Sequence, residues 1–201
     1  MDQPELDMPR RIVVIQGHPD RAGGHLCHAL ADAYADNARL GGHSVERIEI
    51  AAIEFPLLRS QAEYETGEVP PPLAAAAAAI ATAEHIVLVF PLWLGTMPAL
   101  VKAFLEQIMR PGVAFEYRKT LIPEMKLAGR SARVIVTMAM PAFVYRWYYR
   151  AHGVRVLARN IFNFVGIKPV RTSYFGAIQG PIRGVAERAI EAVGRLGRNG
   201  A

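Results

Sequence analysis

Two hydrophobic patterns alternate along the chain. Short continuous apolar runs rich in β-branched residues mark strands buried on both faces. Apolar positions returning every three or four residues mark helices packed on one side. The first run, Arg11-Ile12-Val13-Val14-Ile15-Gln16, enters a glycine-bearing turn and then a helix expected from about Leu26 to Leu40. Gly41-Gly42 close that helix, and Val45 to Ile50 reads as a second strand. A long connection then runs from Phe55-Pro56 through Gly67 to Pro70-Pro71-Pro72. A loop of that length in a small domain is usually functional or covers something. Leu73 to Ala83 is an alanine-rich stretch expected to be a scaffold helix.

Ile86-Val87-Leu88-Val89-Phe90 is the most apolar run, and Pro91, which lacks a backbone donor, is expected to end its ladder. A helix follows, with Pro98 in its first turn and Leu100, Val101, Phe104, Leu105, Ile108 and Met109 at helical spacing; Pro111-Gly112 stop it. Lys119 to Leu127 reads as a loop, and Ala132 to Thr137 as the fourth strand. Val154 to Phe164 should be a helix ended by Gly166, Pro169 to Phe175 the fifth strand, and roughly Pro181 to Leu196 the last helix. Alternating β and α elements of this kind predict an α/β fold with five strands in one parallel sheet.

Composition narrows the class. The 201 residues, 52% of them hydrophobic, suit a single domain over 1–201 with a sizeable core, and residues 1–10 and 197–201 are expected to be flexible tails. No apolar run is long enough to span a bilayer, and the opening MDQPELDMPRR has no apolar segment of the signal-peptide kind. One cysteine, Cys27, excludes an internal disulfide and fits a reducing compartment, so the expected location is cytoplasmic. The net charge of +5 divides into −7 over residues 1–100 and +12 over residues 101–201. A basic half attracts nucleic acid, anionic lipid or cofactor phosphates. No helix-turn-helix, zinc or RNA-binding signature accompanies it, so no nucleic-acid partner and no metal are expected.

Candidate chemistry lies at two turns. After the first strand, Gly17-His18-Pro19-Asp20-Arg21-Ala22-Gly23-Gly24-His25 leads into a helix N-terminus, where unpaired N–H groups and the helix dipole favour an anion. The G-x-G-x-x-G dinucleotide fingerprint is absent. After the third strand, Pro91-Leu92-Trp93-Leu94-Gly95-Thr96-Met97 is unusually apolar for a solvent-facing loop. Either protein or a flat apolar ligand covers it, and in open α/β sheets ligands sit outside the carboxyl ends of the strands.

The segment FPLWLGTMPALVKAFLEQIMRPGVAF resembles the flavin-binding loop and following helix of the flavodoxin-like NAD(P)H:quinone reductases, with Pro98-Ala99, Lys102 and Gly112-Val113-Ala114-Phe115 in register. The resemblance covers roughly residues 11–180. It implies a three-layer sandwich around a five-stranded parallel sheet of order 2-1-3-4-5, with a flavin at the switch point. By the same resemblance His18 contacts the flavin phosphate, and Gly24, His25, Leu26 and Cys27 complete that loop. Here the sequence departs from the family, which places Ser or Thr, an aromatic and Asn at the helix start and lacks the two extra residues read at Gly23-Gly24. Pro91, Leu92, Trp93, Leu94 and Gly95 would form a second wall. Thr137, Met138, Ala139 and Met140 would form a third, although the family's paired glycines are missing there. Tyr145 and His152, one residue off the family spacing, match a Tyr and a His that assist hydride transfer. A phenol and an imidazole suit protonation of a reduced quinone oxygen.

What the resemblance implies is an oxidoreductase working by ping-pong hydride transfer. FMN is the expected flavin and FAD the close alternative, with NAD(P)H as donor, a quinone-like acceptor, and a homodimer carrying the active site at its interface. The competing class is a non-enzymatic flavodoxin-fold subunit that docks on a membrane transporter or another protein. The basic aromatic segment 143–159 is compatible with such docking, with peripheral contact to an anionic membrane, or with a dimer interface.

Overall fold

Each long apolar run becomes a strand of one parallel sheet in the computed structural model, which describes residues 8–117, 123–178 and 184–201. The strands are β1 (Arg11–Gln16), β2 (Ser44–Glu49), β3 (His85–Pro91), β6 (Ser131–Thr137) and β7 (Val170–Phe175). Two-residue strands β4 (Phe115–Glu116) and β5 (Glu124–Met125) form a separate antiparallel ladder. The main sheet runs β2-β1-β3-β6-β7, which is the expected 2-1-3-4-5 when its own strands alone are counted. Part of the expected loop from Lys119, the first residues of the expected last helix, and residues 1–7 of the expected N-terminal tail lie outside the described residues.

The helices are α1 (Leu26–Leu40), α2 (Gln61–Thr66), α3 (Ala74–Thr82), α4 (Ala99–Ile108), α5 (Ala142–Trp147), α6 (His152–Val156) and α7 (Val185–Arg198). Strand residues alternate between two cores. Ile12, Val14, Val87, Val89 and Ile135 face α1 and α7, while Val13, Ile15, Ile86, Leu88, Phe90, Val134 and Val136 face α3, α4 and the helix after α5. That division leaves the carboxyl ends of β1, β3 and β6 together at one rim. No helix among the described residues is long and apolar enough to cross a membrane.

Several expectations are corrected. Pro91 does not stop the third strand before itself: it is the last paired residue of β3, opposite Thr137. Its missing donor faces β1, whose ladder has already closed with Gly17 N–H to Val89 O at 2.7 Å, while Leu92 N–H continues to Thr137 O at 2.8 Å. The long connection is not bare. Ser60 caps α2 by accepting the Glu63 N–H at 3.1 Å. The fully buried Arg110 guanidinium gathers the carbonyls of Glu63, Tyr64 and Glu68. A cation thus sits at the C-terminus of α2, where the dipole favours it. The helix expected from Val154 begins at His152 and widens into a π turn over Leu157–Phe162. Within the segment expected to be a flexible tail from 197, two carbonyls make hydrogen bonds to the body of the fold. Ala201 O accepts from Arg133 Nε at 2.6 Å and from the Tyr34 hydroxyl at 3.2 Å, and Gly200 O accepts from Arg10 at 3.1 Å.

Candidate functional site

A cleft of about 490 Å³ opens at the carboxyl ends of β1, β3 and β6. Its first wall is the turn after β1. Gly17 is needed there because a Cβ would lie 2.8 Å from Val101 Cγ2 and 3.0 Å from Val89 O. His18, 8% exposed, lines the cleft and accepts the Asp20 N–H on Nδ1 at 3.1 Å. A neutral ring therefore carries its proton on Nε2, which has no hydrogen-bond partner among the described residues. Asp20 folds the turn, accepting the Ala22 N–H at 2.8 Å on one oxygen and lying 2.8 Å from His25 Nε2 with the other. Gly23 and Gly24 take the left-handed conformation, with φ of 78° and 75°.

His25 caps α1 without a side-chain bond to the helix, and the first turn of α1 has no acidic residue. Its ring stacks on His18 with centroids 3.9 Å apart, and His28 lies 5.4 Å from His18 and 5.8 Å from His25. Three imidazoles thus crowd one helix N-terminus. Burial, and then the neighbouring His25 and His28, push the His18 pKa below its ordinary value against the opposing pull of Asp20. The hydrogen bond from His25, followed by that from Ala22, holds the Asp20 carboxyl below the usual carboxylate range. The His18 ring is therefore held towards its neutral form, and a bound anion beside it would favour its protonation. The resemblance pointed to His18 and His25, and not to His28. The i, i+3 spacing of His25 and His28 was the available signal for the cluster.

The second wall is the turn after β3. Trp93 and Thr96 exchange both backbone hydrogen bonds, at 2.9 and 3.0 Å, across a two-residue turn with Leu94 at φ 48° and Gly95 at φ 80°. Pro91, Leu92 and Trp93 line the cleft, and the Trp93 ring meets His18 edge-on at 6.1 Å. Leu94 is fully exposed at the tip of the turn. A non-glycine residue there carries a backbone cost of about 1 kcal/mol or more.

Thr137, Met138 and Ala139 form the third wall, fixed by Met138 N–H to Phe175 O at 2.9 Å. Leu26 and Cys27 close the floor. The Cys27 thiol lies 3.1 Å from Thr137 Oγ1, and burial pushes its pKa up to about 11, so it stays a neutral thiol. Ile178 also lines the cleft, a residue that sequence reasoning missed because it follows the last strand without any motif.

Four expected cofactor-contacting residues stand outside the lining. Gly24 shapes the first turn, Leu94 and Gly95 form the tip of the second, and the Met140 carbonyl accepts from Ala177 at 3.0 Å. Neither Tyr145 nor His152 lines the cleft. Tyr145 is buried, its hydroxyl donating to Gly95 O at 3.0 Å and accepting the Val154 N–H at 3.3 Å. That hydroxyl fastens the Trp93–Thr96 turn to α6. His152 is exposed at the start of α6. The adjoining Gly153 packs so tightly on the turn that a Cβ would lie 2.2 Å from Gly95 O.

A second cavity, about 530 Å³, lies along the outer side of α4 among Leu58, Tyr64, Leu105, Met109, Ile161 and Phe164. It contains no residue of the turns after β1, β3 or β6, and so lacks the anion-binding geometry of the cleft. The cleft's residues fit a flavin: a helix N-terminus with an available imidazole N–H for phosphate, a flat apolar wall, and a volume within the usual range of about 300–1,000 Å³ for ligand sites.

No curated protein matches the sequence. Among solved structures, the NAD(P)H:quinone oxidoreductase from Methanothermobacter marburgensis superposes with a TM-score of 0.79 at 20% identity, covering 96% of this chain and 100% of that one. Smu.1420 from Streptococcus mutans UA159 gives 0.74 at 20% identity over 94% and 98% of the two chains. The FMN-dependent NADH-azoreductase from Bacillus anthracis str. Ames Ancestor, solved with FMN, gives 0.71 at 17% identity over 94% and 97%. At these identities the likeness is one of fold. The family model for the flavodoxin-like fold matches residues 10–196, nearly the whole chain. With the sheet order and the cleft at the strand ends, that match makes the chain a member of the flavodoxin-like fold family.

Proposed function

We propose that the protein is a flavin-dependent NAD(P)H:acceptor oxidoreductase whose acceptor is a quinone or a related flat compound. The observation that carries this reading is His18 Nε2, unpartnered at the mouth of α1, in a cleft whose opposite walls are Pro91–Trp93 and Thr137–Ala139. FMN is the cofactor we assign, since the histidine cluster and the first turn of α1 offer one concentrated anion site. The flavin supplies the hydride chemistry, and the protein positions it and excludes competing reactions.

In this reading His18, with His25 and the N–H groups of α1, holds the phosphate. Gly24 lets the turn approach it, and Leu26 and Cys27 pack beneath. Pro91, Leu92, Trp93, Leu94 and Gly95 offer one edge to the ring, and Thr137, Met138, Ala139 and Met140 the other. Tyr145 acts as a positioning residue for the Trp93–Thr96 turn. His152, next to the Gly153–Gly95 contact, is assigned the proton donation to the reduced acceptor. A cytoplasmic homodimer that covers Leu94 completes the picture. No structural observation favours the alternative of a non-enzymatic docking subunit.

The test is direct. Purified protein reconstituted with FMN should show a bound-flavin spectrum, release FMN on denaturation, and oxidise NAD(P)H with a soluble quinone. In the His152→Gln variant, turnover per flavin-loaded molecule should fall by ~10²-fold or more and its pH profile should shift. Protein that stays colourless after reconstitution would overturn the reading; flavin bound without turnover would leave only a carrier.

A further inference from the structure

We infer that the α5–α6 surface is a docking face for an anionic lipid bilayer. The segment leaves the third wall of the cleft at Ala139 and within four residues reaches Phe143 at 65% exposure, then Trp147 at 78% and Tyr148 at 79%. Tyr149, half-exposed, meets Tyr148 edge-on with ring centroids 4.9 Å apart. Arg150 and Ala151, at φ 52° and 49°, reverse the chain immediately afterwards.

Charge decides what such a face can meet. Between Glu124 and Glu187 the sequence has ten lysines and arginines and no acidic residue. Two adjoining hollows of about 230 and 250 Å³ share Arg146, Thr172 and Tyr174. Phe143 and Trp147 complete the first, and Arg155 lines the second. Neither the Arg146 nor the Arg155 guanidinium makes an ion pair or hydrogen bond among the described residues. Guanidiniums that are always charged, set behind projecting Trp, Phe and Tyr rings, match the boundary of a bilayer, where rings enter the interface and arginines reach lipid phosphates. A second copy fits less well, because a twofold contact would bring this arginine-rich face against its own image, and residues 125–186 contribute no carboxylate to either side. Docking would place the cleft beside the membrane, within reach of a lipophilic acceptor; this last consequence alone rests on the functional reading above.

Sedimentation with vesicles tests the inference without any need for flavin. The full chain should sediment with vesicles of equal phosphatidylcholine and phosphatidylglycerol, stay in solution with pure phosphatidylcholine, and be released by raised salt. Arg146→Gln with Arg155→Gln should weaken binding by about thirtyfold, from roughly a fivefold contribution of each basic residue near an anionic surface. Trp147→Ser with Tyr148→Ser should weaken it further, while turnover with a soluble quinone is retained. Wild-type protein that ignores both vesicle types overturns the inference, as does binding that the four substitutions leave unchanged. Light scattering in which the aromatic variant converts a dimer to a monomer assigns the face to a second copy and overturns it too. Vesicle binding by protein that stays colourless after reconstitution with FMN would sink the functional reading and leave this one standing.

Discussion

The two ends of the sheet use the same residue types to opposite effect. At the amino end, His85 is buried, with Nδ1 2.7 Å from Ser131 Oγ and its ring stacked over Tyr34 at 6.5 Å. Around it Arg10, His43, Arg133 and Tyr34 close on the backbone carbonyls of residues 198–201. At the carboxyl end, His18 is nearly as buried, and its Nδ1 is likewise partnered, but the ring lines a cleft instead of being enclosed. Among the described residues each ring has one partnered nitrogen, so neither burial nor the number of partners separates the two cases. The unpaired His85 Nε2 is sealed inside the protein, whereas His18 lines an open cleft. Enclosed, an imidazole becomes a fastener; opened to a cleft, it becomes a site.

Removing the cleft histidine sharpens this contrast most. His18→Ala should weaken flavin binding by about ten- to a hundredfold, the scale of one hydrogen bond to a charged group, with little change in denaturation midpoint. The empty ring has a lowered pKa, and a bound phosphate raises it. Wild-type affinity should therefore climb as pH falls between the bound and empty values, and the variant should lose that slope. Equal retention of flavin by both proteins would make His18 as structural as His85 and dissolve the comparison.

The opposite variant acts on stability. Burial, and then the positive Arg10, Arg133 and Arg171, push the His85 pKa down to about 3 from its ordinary 6.5. The folded state keeps the ring neutral, while the unfolded chain takes up a proton below 6.5. The stability tied to the neutral ring is therefore complete above that pH and is lost as pH falls from 6.5 towards 3. At pH 5 the loss amounts to about 2 kcal/mol. Urea denaturation at pH 7.5 and pH 5 should show that drop in the wild type and much less of it in His85→Asn. Parallel drops in the two proteins would mean that His85 is not the group that titrates.

The sequence made one end far more legible than the other. Apolar runs announced β1, β3 and β6, because parallel strands buried on both faces must be apolar throughout, whereas the edge strands β2 and β7 carry polar residues and stay partly exposed. The strand order came from resemblance, since pairing is set by how the intervening helices pack. The walls at Pro91–Trp93 and Thr137–Ala139 were legible because a loop following a buried strand must emerge at the sheet's edge. By contrast α2, Gln-Ala-Glu-Tyr-Glu-Thr, has no apolar period and is held from outside by Arg110, a partner more than 40 residues away in sequence. Ile178 entered the cleft without a motif. The tethering of residues 198–201 depends on Arg10, Tyr34 and Arg133, which come together only in the folded chain.

Tyr145 gives the smallest effect and the finest discrimination. Its spacing from His152 suggested a shared role beside a substrate, but its hydroxyl already donates to Gly95 O and accepts from Val154 N–H, deep in the protein. It belongs with the fasteners although it stands at the carboxyl end. Tyr145→Phe keeps the ring, including its packing 5.9 Å from Tyr174, and removes only those two bonds. The expected cost is about 1 kcal/mol of stability, because a carbonyl and an N–H lose one partner each while the packing stays. Turnover per flavin-loaded molecule should change by less than tenfold, since the Trp93–Thr96 turn retains its own pair of backbone bonds. The pH profile should not move, because no titrating group has been taken from the cleft. A general acid would behave otherwise: its loss costs ~10²–10⁴-fold in rate and removes a limb of the profile. Stopped-flow reduction and steady-state turnover across pH, set beside urea denaturation of the same variant, separate the two. A large rate loss with unchanged stability would show that the hydroxyl leaves Gly95 during the reaction, and that a fastener at this end of the sheet can become part of the site.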